Sequence, residues 1–175
     1  MTTSNPPAIE IYPYSAADLD LLRRANTPEL MDQMGGVEDD AGVLRRHERY
    51  LRLPAINQGQ QFRVTIPGHP EGVGMVGFWT PDPQVPDELE CGWSVEAGFR
   101  GRAIAPSAAI ALIDWLRERG HTGVLRAFPS VTNGASNAVC QKAGFTLVGT
   151  TTDPAVGAGE TVLNDWVYPL AAGLD

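Results

Sequence analysis

A chain of 175 residues is long enough for one domain with a sizeable buried core and too short for two full ones. Its 43% hydrophobic and 19% charged residues exclude a disordered polymer. Its net charge of -8, from 13 basic and 21 acidic residues, argues against nucleic acid as a partner, because phosphate backbones need a basic face.

After a short polar lead, AIEIYPY (8–14) alternates and predicts a first strand. Ser15 is placed to cap a helix over 15–25, with Leu19 and Leu22 at helical spacing. TPELMDQMGG (27–36) reads as a short helix stopped by two glycines. Over 37–53 a longer helix is expected, with Val43, Leu44, His47, Tyr50 and Leu51 on one face. Glu38, Asp39 and Asp40 open it and four arginines follow, an order that complements the helix dipole. The acidic triplet therefore reads as a helix start rather than a carboxylate site. His47, on the apolar face, reads as a boundary histidine rather than a catalyst.

The stretch 60–81 predicts a hairpin: Phe62, Val64 and Ile66 alternate, GHPEG (68–72) turns, and VGMVGFW returns. A proline-rich connection (81–87) leads to ELECGWSV (88–95). There Leu89, Cys91, Trp93 and Val95 share one face of a strand, and Glu90, Gly92 and Ser94 the other. Residues 100–120 form the strongest helix, with Ile104, Ala108, Ala111, Leu112, Trp115 and Leu116 as its buried stripe. Pro106 is tolerated in the first turn, where its missing N–H costs nothing. A strand at 123–129, a loop and short helix at 133–145, and strands at 146–152 and 161–170 complete the chain. This order predicts a single α+β domain over 1–175, with a mostly antiparallel sheet of about seven strands flanked by helices and one strand–helix–strand crossover. The exposed strand at 161–170 would offer an edge for homodimer pairing about a two-fold axis.

Cys91 and Cys140 lie far apart in apolar surroundings, and His47, His69 and His121 are scattered, so neither a disulfide framework nor a metal site is expected. The start has no basic segment followed by an apolar one, and no apolar run reaches membrane-spanning length. The expectation is a cytoplasmic, metal-free protein with no membrane partner.

Arg100-Gly101-Arg102 stands at the mouth of the long helix, where the macrodipole favours anions. Free N–H groups from Gly101 to Ala105, flanked by two guanidiniums, make a natural phosphate site. Either arginine alone would pass as a surface charge, but their position against the dipole favours the anion site. The run Arg100, Gly101, Arg102, Ala103, Ile104, Ala105 resembles the pyrophosphate-binding motif [Q/R]-x-x-G-x-[G/A] of the GNAT acetyltransferase superfamily, with Ala103 where glycine is usual. A second block, NGASNAVCQKAGFTLVG (133–149), is similar to that family's N-x-x-S-x-x-x-x-x-K-x-G-F-x-x-x-G segment. It supplies Asn133, Ser136, Lys142, Gly144, Phe145 and Gly149. The resemblance covers roughly residues 60–170 and is nearest in pattern to the branch containing ribosomal-protein alanine N-acetyltransferases.

The resemblance implies an acetyl-CoA-dependent N-acetyltransferase without a metal. Strands 88–95 and 123–129 are then expected to splay, leaving a slot for the pantetheine arm along the backbone of Trp93, Ser94 and Val95. The loop Arg100 to Ala105 would cradle the pyrophosphate, Ala103 being compatible if it keeps helical φ. Asn133 would contact the arm, and Lys142 would either help hold a phosphate or cap its helix. Acyl transfer requires an amine to lose a proton and a thiolate to leave. Glu90 is the candidate general base, through water, its other reading being a solvated strand carboxylate. The family's usual tyrosine acid falls at Cys140, which is either an acid or a buried inert thiol; Ser136 is a substitute acid. The acceptor would be a protein N-terminus or a small-molecule amine, and Glu38, Asp39, Asp40, Asp153 and Glu160 hint at a cationic one. The alternative is a non-catalytic acyl-CoA-binding module on the same fold, indifferent to Glu90→Gln.

Overall fold

The computed structural model describes residues 8–153 and 161–171. In chain order the elements are β1 (Glu10–Pro13), α1 (Leu19–Ala25), α2 (Pro28–Met31), α3 (Asp40–Arg52), β2 (Gly59–Ile66), β3 (His69–Trp79), β4 (Glu88–Val95), α4 (Ile104–Glu118), β5 (Val124–Ala127), α5 (Gly134–Lys142), β6 (Thr146–Asp153) and β7 (Thr161–Pro169). Short 3-10 turns at Ala16–Asp18, Asp32–Met34 and Ala97–Phe99 lead into or out of helices.

Local chemistry accounts for most of these boundaries. Ser15 and Asp18 form a reciprocal capping box, the Asp18 carboxylate accepting from the Ser15 N–H at 2.7 Å. Asp39 caps α3 by accepting from the Gly42 N–H at 2.7 Å, which settles the acidic triplet as a helix start. The hairpin turn is tighter than expected. Ile66 pairs with His69, so only Pro67 and Gly68 turn, and residues from His69 onward already belong to β3. Proline presets the first turn position and Gly68, at φ +85°, supplies the positive φ that the second requires.

The sheet order is β1-β2-β3-β4-β5-β7-β6, antiparallel except between β4 and β5, which α4 joins as the crossover. This corrects the expectation for 161–170. β7 is not an edge, because it pairs with β5 on one side and β6 on the other. Strand β1 and strand β6 form the two rims.

Helices α4 and α5 cover one face. Leu112 and Leu116 of α4 are fully buried against Phe62, Val76, Leu89 and Leu125, and each such side chain stabilises the fold by about 1.5–3 kcal/mol. Ala109 and Ile113 join the expected stripe, while Trp115 sits at its margin, edge-on to Phe62 with ring centroids 5.0 Å apart. The opposite face is covered by α1 and α3 through Leu21, Leu22 and Val43, with Tyr14 from the segment after β1, around Met75 of β3. The Glu90–Gly92–Ser94 face of β4 thus looks toward the N-terminal helices. Among the described residues, no helix is long and apolar enough to cross a membrane.

Candidate active site

The parallel pair β4/β5 is short. Its register runs only through Glu88↔Val124, Leu89↔Leu125 and Glu90↔Arg126. Beyond Glu90, β4 continues to Val95 paired to β3 alone. The chain after Ala127 turns instead toward β7: the Asn164 N–H donates to the Pro129 carbonyl at 2.9 Å, and Ser130 bridges Leu163. Main-chain groups of Cys91 to Val95 on that side therefore meet no strand, and buried backbone without a partner needs a ligand or water. The splay opens into a cavity of about 830 Å³. Glu90, Trp93 and Ser94 line it from β4, Phe128 from the segment after β5, and Ser136 from α5, with α3 opposite.

Glu90 is half-buried, and among the described residues it is the one carboxylate on the cavity wall. Trp79 lies across from it in the β3–β4 register and donates its indole N–H to Glu90 Oε2 at 3.0 Å, which fixes the carboxylate's direction. Gly92 makes room for that indole, since a Cβ there would stand 3.3 Å from the Trp79 ring. Ser94 follows two residues on, along the same wall.

At the mouth of α4 the backbone turns through two left-handed residues, Gly101 at φ +74° and Ala103 at φ +57°. The condition that Ala103 keep helical φ is therefore not met. A left-handed alanine costs roughly 1 kcal/mol, which is why glycine suits this position. Ala103 occupies the N-cap without a side-chain bond, so the first N–H groups of the helix, at Ile104 and Ala105, have no intrahelical acceptor. The space where a Gly101 side chain would begin is open. Both arginines are exposed. Arg102 folds back, donating to the Gly98 carbonyl at 3.3 Å with its guanidinium 5.4 Å over Phe99, and Arg100 stands 3.9 Å from Glu29.

Helix α5 forms the other flank. Asn133 caps it, its Oδ1 accepting from the Ser136 N–H at 3.1 Å. Gly144, at φ +90°, ends the segment; the Phe145 N–H donates to the Cys140 carbonyl at 3.0 Å and the Phe145 ring packs on Tyr168. Lys142 is exposed in the last turn, where a cation suits the dipole. Cys140 is fully buried in the core and does not line the cavity. Desolvation pushes its thiol up to about 12, and burial likewise raises Cys91 well above the ordinary range. A thiol so placed is no proton donor to the cavity, and this corrects its candidacy as the acid.

Sequence reasoning missed Asn137. Its amide donates to the Ser130 and Asn133 carbonyls at 2.9 and 2.8 Å and accepts from Asn164 and the Trp166 indole at 2.7 and 2.8 Å. All four valences of one half-buried amide are used, tying α5 to β7 and to the wall after β5. The only sequence signal is an amide one residue beyond Ser136, which propensity alone cannot rank.

At the far wall, the acidic residues that hinted at a cationic acceptor are engaged elsewhere among the described residues. Glu38 pairs with Arg46 at 3.0 Å, Asp39 caps α3, and Asp40 reaches Arg23 at 3.4 Å. None of the three lines the cavity; Arg46 and Arg49 do. The Asp153 side chain and Glu160 lie outside the described residues. Among the described residues no group of three His, Cys, Asp or Glu could hold a metal ion.

Residues 9–146 match the model of the acetyltransferase (GNAT) domain, and the chain belongs to that family. It is similar in structure to RimL, the ribosomal L7/L12 alpha-N-protein acetyltransferase in complex with coenzyme A, at TM-score 0.79 and 17% identity over 92% of this chain and 93% of that one. It is similar also to aminoglycoside acetyltransferase AAC(6')-Ib in complex with coenzyme A, at 0.76 and 19% over 93% and 95%. A third such structure is yncA, a putative acetyltransferase from Salmonella typhimurium with its cofactor acetyl-CoA, at 0.75 and 19% over 96% and 97%. At these identities the shared property is the fold. No curated protein matches the chain in sequence.

Proposed function

We propose that the protein transfers the acetyl group of acetyl-CoA directly to an amine, either a protein N-terminus or a small-molecule amine. The observation that carries this reading is the splay after Glu90, which leaves Cys91 to Val95 without a strand on the β5 side and opens beside a carboxylate. The residues fit the co-substrate. An extended arm would take the place of the missing strand along Trp93, Ser94 and Val95. The uncapped helix mouth and the open space at Gly101 suit a pyrophosphate, with Arg100 and Arg102 swinging onto it from their weak exposed contacts. The Asn133 carbonyl oxygen is engaged as a cap, so its amide nitrogen is the group left to reach the arm. Lys142 serves a phosphate or the helix dipole.

Acetyl-CoA supplies an activated acyl group. Glu90, held by Trp79, takes the ammonium proton through water, and once the neutral amine has attacked, the proton its nitrogen sheds passes by way of the Ser136 hydroxyl on the cavity wall to the departing sulfur. The soluble chemistry and net charge of -8 fit a cytoplasmic enzyme with no nucleic-acid partner. The whole chain acts as one GNAT domain.

The test is the melting temperature with and without saturating acetyl-CoA. A hundredfold excess over Kd adds about 2.7 kcal/mol, or roughly 5–10 °C for a chain of this size. The shift should vanish in Arg100→Ala with Arg102→Ala; its absence in the parent protein would remove the cofactor reading. A second reading, a non-catalytic acyl-CoA-binding module, is favoured by the burial of Cys140. It requires the shift without thiol release from acetyl-CoA in the presence of any amine.

A further inference from the structure

The cavity's charge is uneven. Glu90 is on the β4 wall, whereas α3 presents Arg46 and, one turn later, Arg49. Arg46 is only 6% exposed. Its Nη2 stands 3.0 Å from Glu38 and its Nη1 3.5 Å from the Met31 sulfur, yet Nε and Nη2 make no hydrogen bond of acceptable geometry. Arg49 is exposed, and its guanidinium lies 5.4 Å over the Tyr50 ring. A guanidinium buried for packing alone would have its donors filled, because unfilled donors away from water are costly. Glu38 offsets one charge and leaves the other. The remaining pair, a guanidinium on the cavity wall whose Nε is unpartnered and whose Nη1 meets only a thioether sulfur, beside a second arginine, has the sign that receives an oxyanion.

We infer that the acceptor is an amine that also carries a carboxylate, its anionic group seated on Arg46 and Arg49 and its amine facing Glu90. The inference rests on the acetyl-transfer reading of this cavity. It sets the acceptor apart from polycations, which would meet the two arginines unfavourably. The carboxylate can come from a free amino acid or from an acidic side chain near a protein N-terminus; both present the same group to α3.

Thiol release from acetyl-CoA distinguishes these cases. One pair of acceptors is leucine and leucinamide; a second is a Ser-Glu-headed and a Ser-Lys-headed peptide amide; kanamycin is the polycation. The expected result is about a ten- to hundredfold preference, in kcat/KM, for the carboxylate-bearing member of at least one pair. Preference in the first pair identifies a free amino acid, preference in the second a protein N-terminus. Arg49→Gln, at an exposed position, should raise the acceptor's KM by about tenfold while the KM for acetyl-CoA stays within twofold. Arg46→Gln should do the same, and the surface variant keeps the test valid if the buried one fails to fold. Equal use of both members in both pairs, greater use of kanamycin, or no turnover of any panel member overturns the inference. If acetyl-CoA gives a thermal shift in these last cases, the cofactor reading survives; if it gives none, both fall.

Discussion

Two residues at the site are fixed in different ways, one held in strain and one held by a hydrogen bond. Ala103 holds a left-handed φ of +57° that alanine enters at roughly 1 kcal/mol, and strain of this kind persists where surrounding structure enforces it. Ala103→Gly should relieve it, raising the melting temperature by up to about 3 °C and lowering the KM for acetyl-CoA, both measurable on one preparation. Glycine's freedom in the unfolded chain offsets part of the gain. Glu90 is tied to Trp79, and Glu90→Gln keeps that hydrogen bond while removing the base. A loss of kcat of about 10²- to 10⁴-fold, with the acetyl-CoA thermal shift retained, is expected; unchanged turnover would leave Glu90 a structural partner of Trp79. The positions around Ala103 were legible because a cation pair against a helix dipole is a local oddity. Its φ was not, because only the loop's closure onto the helix sets it.

Helices and strands announced themselves through period and caps: Ser15, Asp39 and the stripe of α4 stand where the pattern puts them. What pattern does not carry is who lies beside whom. Strand β7 alternates like an edge strand yet is inserted between β5 and β6, a placement decided by long-range pairing. The same holds for Asn137, whose importance comes from partners 27 and 29 residues away. Asn137→Ala would leave several half-buried groups unpaired. Chemical unfolding should show a loss of about 2–3 kcal/mol, with a fall in turnover because the wall carrying Ser136 is released. A change under 0.5 kcal/mol would show that water replaces the amide.

For the molecule as a whole, the two buried thiols set a pH limit. Folding raises their pKa, Cys140 to about 12 and Cys91 well above its ordinary range, while an unfolded thiol ionises near ~8.5. A raised folded pKa means stability that is intact below the unfolded value and lost as pH climbs from there through about 12. Urea midpoints should thus be flat, as far as these groups act, between pH 6 and 8 and fall by pH 10.5; the Cys91→Ala, Cys140→Ala pair should blunt that fall. Tyr14, also raised by burial, adds in the same direction at higher pH. The seven strands, finally, are stitched across their middle by a seam three register pairs long. Everything beyond that seam is held by the crossover helix and by whatever lies in the gap. A molecule lodged there touches both halves at once, so the free protein should breathe along this line. Amide exchange at the N–H groups between Cys91 and Val95 that face the gap rather than β3 would be fast when it is empty and slow when it is filled, so that the enzyme's occupancy is written in the stiffness of its own sheet.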